Sequence, residues 1–241
     1  MSAHRSLPKA AVASAFLILL LPMAAAETFQ VLTHDVTASV GSDARLSCRL
    51  SPALNAEGMQ VRWTHGPSSR NVYLYRDDGS ELPGRDYENR TELILDNIRS
   101  GRVALRIRNI QPKDNGLYVC DFQSKTYYNQ AMPELSVTSL GSTPQIHITG
   151  LEAGRIQVGC NSTGWYPAPE MLWRNSLGKI ETSFASEARC GLQSFCSVSS
   201  SSFILLESNN TALSCIVRAS TSSHERESSV LISGEGIKDG E

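Results

Sequence analysis

The stretch Asp114-Asn115-Gly116-Leu117-Tyr118-Val119-Cys120 decides the fold. In the pattern D-x-G-x-Y-x-C, the tyrosine two residues ahead of the cysteine turns its hydroxyl back onto the corner before it. Reading outward, Cys48 lies 72 residues before Cys120, and Trp63 follows Cys48 by 15. The frame then recurs: Cys160, Trp173 13 residues later, and Cys215 55 residues beyond Cys160.

Two cysteine–tryptophan–cysteine frames in series predict an all-β chain of two tandem immunoglobulin sandwiches. That fold implies a Cys48–Cys120 and a Cys160–Cys215 disulfide, each joining opposite sheets, with Trp63 and Trp173 packed against them. The longer first spacing leaves room for an extra pair of strands, so residues 27–139 read as a variable-type domain. The shorter second spacing makes residues 140–233 a constant-type domain, ahead of a polar, glycine-rich tail at 234–241. Leu140-Gly141-Ser142-Thr143-Pro144 joins the two and is too short for a flexible tether.

The N-terminus carries His4, Arg5 and Lys9, an apolar run from Ala10 to Leu21, and the small residues Ala24-Ala25-Ala26, so residues 1–26 read as a secretory signal. The apolar run is well short of the about 20 residues that span a bilayer. Entry into an oxidising compartment suits a chain with six cysteines. Removing the signal takes away Arg5 and Lys9 but no acid, moving the net charge from −2 to −4. A mildly acidic chain is no general nucleic-acid binder. No second apolar segment follows, so no membrane span is expected in this chain. The expected location is extracellular, either secreted or on the external side of the plasma membrane as part of a longer chain.

Short β-patterned runs alternate with turns through the first domain. In Met59–Thr64, Val61 and Trp63 point inward and Gln60, Arg62 and Thr64 outward by period-two alternation. Asn71–Arg76 reads as the next strand. Val103, Leu105 and Ile107 are inward positions, with Arg106 and Arg108 outside, and the last strand carries Leu135 and Val137.

Cys160-x-x-x-Gly164-Trp165-Tyr166-Pro167-x-Pro169-x-x-x-Trp173 resembles the second domain of butyrophilins. Val72-Tyr73-Leu74-Tyr75-Arg76-Asp77-Asp78-Gly79, Asn89-Arg90-Thr91-Glu92-Leu93 and Leu105-Arg106-Ile107-Arg108-Asn109-Ile110 resemble both butyrophilins and myelin oligodendrocyte glycoprotein. The two-domain order and Leu140-Gly141-Ser142 at the junction favour a butyrophilin-like chain. The resemblance covers nearly all of residues 27–233. It implies an ectodomain that binds a protein receptor on T cells and regulates their receptor signalling and cytokine production. Pairing with itself or with related family members is the other partnership it suggests. Two features depart from the family pattern: the extra Cys190 and Cys196, and the serine-rich stretch from Cys196 to Phe203.

Cys190 and Cys196 most simply bond to each other, with interchain pairing and free thiols as alternatives. Three sequons begin at Asn89, Asn161 and Asn209. Arg90 and Asp114 are expected to form a structural ion pair across the bottom of the first sandwich. Arg99, Arg102, Arg106 and Arg108 crowd one region, read here as a solvated outer sheet face rather than a polyanion site. No G-x-S-x-G, H-E-x-x-H, P-loop or G-x-G-x-x-G motif is present, so no enzyme, catalytic residue or cofactor is expected. His34, His65, His147 and His224 are scattered and no second C-x-x-C stands near, so no metal site is expected.

The expected receptor-binding face is the outer surface of the sheet that contains the Trp63 and Cys120 strands. Its expected residues are Arg62, Tyr73, Tyr75, Asp121 and Gln123, with Tyr127 and Tyr128 on the adjoining loop. Aromatic residues interleaved with a few charges are what interfaces favour. Homophilic adhesion and a soluble decoy of a membrane-bound relative are the alternative functions.

Overall fold

The computed structural model describes residues 28–152, 155–178, 180–181, 184–205, 211–221 and 224–232. The signal read at 1–26, the tail at 234–241 and the sequon asparagine Asn209 lie outside them.

The first domain runs through β1 (Gln30–Thr33), β2 (Val36–Ser39), β3 (Ala44–Ser51), β4 (Gln60–His65), β5 (Arg70–Tyr75), β6 (Glu81–Pro83), β7 (Thr91–Ile94), β8 (Arg102–Ile107), β9 (Gly116–Gln123), β10 (Tyr128–Ala131) and β11 (Glu134–Thr138). One sheet has the order β1-β3-β8-β7; the other is β2-β11-β9-β4-β5-β6, with β10 also on β9. The additional β5 and β6 are the strands for which the 72-residue spacing leaves room. Alternation is plain in β3, where Ala44, Leu46, Cys48 and Leu50 are buried and Arg45 and Arg49 exposed. Val61, Trp63, Val103, Leu105, Ile107, Leu135 and Val137 all enter the core.

Tyr118 donates its hydroxyl to the carbonyl of Asp114 at 2.9 Å, closing the corner that the D-x-G-x-Y-x-C spacing requires. Asp114 is fully buried; its carboxylate accepts from both terminal nitrogens of Arg90 and, at 2.8 Å, from the backbone N–H of Gln111. A buried carboxylate paired and hydrogen-bonded in this way stabilises the corner instead of straining it.

Cys48 and Cys120 meet side by side in the core, both buried, as two thiols. The expected first-domain disulfide is not formed between them in this structure. Burial pushes the Cys120 thiol well up, disfavouring the thiolate that disulfide formation needs once the core has closed.

The second domain has β12 (Gln145–Glu152), β13 (Arg155–Trp165), β14 (Glu170–Asn175), β15 (Ile180–Glu181), β16 (Ser186–Cys190), β17 (Cys196–Leu205), β18 (Thr211–Arg218) and β19 (Glu225–Ile232), in sheets β12-β13-β17-β16 and β15-β14-β18-β19. Cys160 and Cys215 are disulfide-bonded, and Trp173 is buried beside them in the same core cluster. Cys190 and Cys196 are bonded to each other across the β16–β17 hairpin, their Cα atoms 4.0 Å apart. The serine-rich β17 still alternates: Cys196, Val198 and Ser200 are buried, and Ser197, Ser199 and Ser201 exposed. Ser200 tolerates burial because it accepts from the Trp173 indole N–H at 3.2 Å and donates to the Ala185 carbonyl at 2.8 Å.

The join is tight. Ser139 pairs with Tyr166 through backbone bonds of 2.8 and 3.1 Å, and its hydroxyl donates to Gly164. A Cβ on Gly141 would lie 2.3 Å from the Trp165 indole nitrogen, so only glycine fits there.

Candidate receptor-binding face

The outer face of the larger first-domain sheet follows from the register. Arg62 stands opposite Asp121, Gln60 opposite Gln123, and Tyr128 opposite Gln123 from the other side. Leu74 is the partner of Arg62 on β5, and Leu82 the partner of Leu74 on β6. A row therefore crosses the sheet from Leu82 through Leu74, Arg62 and Asp121 to Gln130. Leu117, on the same side of β9 as Asp121, and Met132, just past β10, are both about half exposed.

At the centre, Arg62 Nε donates to Asp121 Oδ2 at 2.9 Å. The guanidinium is half in water, whereas Asp121 is only 1 % exposed. Burial pushes the Asp121 carboxyl up, and Arg62 pulls it back down. Its second oxygen, Oδ1, is buried without a hydrogen-bond partner among the described residues. Beside the pair, the exposed Tyr128 donates its hydroxyl to Gln130 at 2.6 Å, and Gln60 donates to Gln123 at 3.4 Å.

Three of the seven expected face residues, Arg62, Gln123 and Tyr128, lie exposed on this surface. Asp121 belongs to the same face but is covered. Tyr73 and Tyr75 are corrections: each is 7 % exposed and sits in the core. They pair across the ladder with Trp63 and Val61, and directly opposed residues share a face, so they point inward. Their hydroxyls end at the rim, Tyr73 on the Glu81 carboxylate and Tyr75 on the Glu57 carbonyl at 3.2 Å. Tyr127 is also corrected: it packs edge-on against Phe29 at 5.0 Å instead of facing outward. Leu74, Leu82, Leu117 and Met132 were missed. The signal for the two β5–β6 leucines was the pairing of the β4–β5 hairpin: once Val61 and Trp63 are inward, the residue opposite Arg62 must be outward.

Asn89 and Asn161 are exposed, Asn89 with a left-handed φ of 62° and Asn161 on β13 next to the inward Cys160. Among the described residues, no group of three or more His, Cys, Asp or Glu side chains is placed to hold a metal ion. No described helix is long and apolar enough to cross a membrane.

Comparison with known proteins adds the family. Residues 32–138 match the immunoglobulin V-set domain, and residues 140–227 match the model described as "Butyrophilin subfamily 3 member A2-like, Ig-C domain". Butyrophilin-like protein 2 of Mus musculus is 40 % identical over 179 residues, covering 72 % of this chain and 39 % of the relative. Selection and upkeep of intraepithelial T-cells protein 1 of Macaca fascicularis is 35 % identical over 217 residues, covering 88 % of this chain and 60 % of the relative. This chain thus spans less than two thirds of the length of either. The crystal structure of bovine butyrophilin superposes with a TM-score of 0.79 at 34 % identity, over 86 % of this chain and 99 % of that one. With both domain models matched in order and a solved butyrophilin covered almost end to end, the chain belongs to the butyrophilin family of immunoglobulin-domain proteins.

Proposed function

We propose that this chain is an extracellular ligand that binds a protein receptor on T cells through the outer face of β4, β5, β6, β9 and β10, and so regulates T-cell receptor signalling and cytokine production. The observation that carries the reading is the composition of that face. Leu82, Leu117, Met132 and Tyr128 are exposed around the half-buried Arg62–Asp121 pair. Apolar and aromatic groups around a few desolvated charges are what recognition surfaces favour. The family supports the class of partner, since the relative from Macaca fascicularis is named for the selection and upkeep of intraepithelial T cells. Binding by shape and charge needs no catalytic group.

The test is staining of T cells with a multimer of the two-domain chain, alongside variants of the face. Tyr128→Ala and Leu82→Asp should each weaken staining, at about tenfold or more in affinity, with an unchanged melting temperature. Staining that survives both, or is absent with the native chain, defeats the proposal. Concentration-dependent self-association broken by the same variants, without T-cell staining, favours homophilic adhesion.

A further inference from the structure

The opposite sheet of the first domain carries a charge arrangement that receptor binding does not use. Arg45 and Arg49 on β3, and Arg102 and Arg106 on β8, all point outward between buried neighbours. The register sets Arg45 directly opposite Arg106, and Arg49 directly opposite Arg102. Like charges facing each other across a ladder destabilise it. Arg106 finds Asp43 at 3.5 Å and Glu92 at 3.8 Å, and Arg108 shares Glu92. Arg45, Arg49 and Arg102 form no ion pair among the described residues. An acidic chain has thus collected three arginines without an ion-pair partner among the described residues on one sheet, with Asp96 the one acidic side chain in the lining of the hollow beside them.

Between the two arginine pairs the register places Ser47 against Ala104. Small side chains there let the surface sink into a hollow of about 520 Å³, whose lining includes Arg45, Arg49, Arg102, Thr33 and Asn97, with the single carboxylate of Asp96 among them. Positions four apart on a strand are roughly 13 Å apart, so Arg45 and the Arg49–Arg102 pair mark the ends of an elongated site. A small anion would occupy one end only. A linear chain of anionic groups reaches both and offers the hollow polar ring atoms that Thr33, Ser47 and Asn97 can bond.

We propose that this hollow binds a sulfated polysaccharide, a glycosaminoglycan segment lying across β3 and β8 with sulfates on Arg45 at one end and on the Arg49–Arg102 pair at the other. The guanidinium fork suits a multi-oxygen anion, which it grips with two parallel N–H donors. A single-stranded nucleic acid fits less well, because the lining holds no Phe, Tyr or Trp on which a base could stack. The ligand also removes the repulsion that the Arg49–Arg102 pair otherwise carries, which gives binding a source of free energy already stored in the sheet.

The test uses the two-domain chain secreted from mammalian cells, with heparin oligosaccharides and the same oligosaccharides chemically desulfated as immobilised probes. The native chain should bind the sulfated probe, lose it as salt is raised, and ignore the desulfated one. Arg49→Ala combined with Arg102→Ala should weaken binding at least about tenfold. Arg189→Ala, in the second domain and paired with Glu187, should change nothing. The double variant should melt at or above the native temperature, because it relieves a like-charge pair. That readout separates a lost site from a lost fold. Equal binding to the desulfated probe, no binding at physiological salt, or a double variant that still binds would each overturn the proposal. So would DNA oligonucleotides or phosphatidylserine vesicles that compete as strongly as heparin, since the patch would then be a general anion surface.

Discussion

Arg62 and Asp121 face each other across β4 and β9, one half in water and the other almost wholly out of it. Among the described residues Arg62 is the one cation paired with that carboxylate. Removing it strands a buried charge, so Arg62→Ala should destabilise the first domain by about 2 kcal/mol, below the range for a fully buried pair because the guanidinium is half solvated. Asp121→Asn should cost less, since no charge is left uncompensated. Chemical denaturation of the two variants checks the order. An Arg62→Ala chain as stable as the native one would show that the carboxylate takes up a proton or finds water.

Tyr73 and Tyr75 are core residues, and their truncation should show it. Tyr73→Ala and Tyr75→Ala are each expected to cost about 3 kcal/mol, within the range for emptying an aromatic site in a core. Tyr73→Phe, which loses the bond to Glu81 alone, should cost about 1 kcal/mol. Receptor binding measured well below the lowered melting temperature should survive Tyr73→Phe. Selective loss of binding by that variant would return the residue to the recognition surface.

His65 gives the stability a pH dependence of known sign. Its ring stacks on Tyr118 at 4.3 Å, donates through Nε2 to the Asn115 carbonyl at 3.1 Å and accepts from the Tyr87 hydroxyl at 2.9 Å. Both nitrogens are thus occupied by the neutral tautomer. Burial lowers the imidazole pKa, with the Asn115 bond and Asp114 opposing and Arg70 assisting. The unfolded chain therefore takes up the proton first. This stabilising contribution is full above about pH 6.5 and is lost as the pH falls from there towards the folded value, at no more than about 1.4 kcal/mol per pH unit. Melting curves between pH 7.5 and 5 should show the loss, and His65→Gln should flatten that part of the profile. An unchanged slope in the variant would assign the dependence elsewhere.

The buried cysteine pair predicts a dependence on folding history. Chain folded under oxidising conditions should carry the Cys48–Cys120 bond, formed before the core closes. Chain folded in reductant should hold two thiols that resist alkylation until denatured. The oxidised form should be more stable by about 2–5 kcal/mol. Mass mapping of peptides from both preparations checks this, and Cys120 found joined to any other cysteine would refute it.

What the sequence made legible and what it hid have one physical origin. The frames and the tyrosine corner were readable because they are local patterns around residues with a single role. The Asp114–Arg90 pair followed from the same corner. The face of β5 was not readable, because Val72-Tyr73-Leu74-Tyr75 is apolar at every position and offers no alternation whose phase could be read. Its phase is set by pairing with β4, where a register shift between Trp63 and Thr64 admits Val72 as an extra buried residue. The arginines of β3 and β8 lie far apart in sequence and become a hollow only through their register.

The joint between the domains has a mechanical consequence. Ser139 is bridged to Tyr166 and Gly141 is pressed against Trp165, so the chain has no slack at its middle. Any turn of one domain against the other must therefore break the Ser139–Tyr166 backbone bonds or lift Gly141 off the indole. A force applied at one end is thus passed straight into the other sandwich, and is not first spent on straightening a tether.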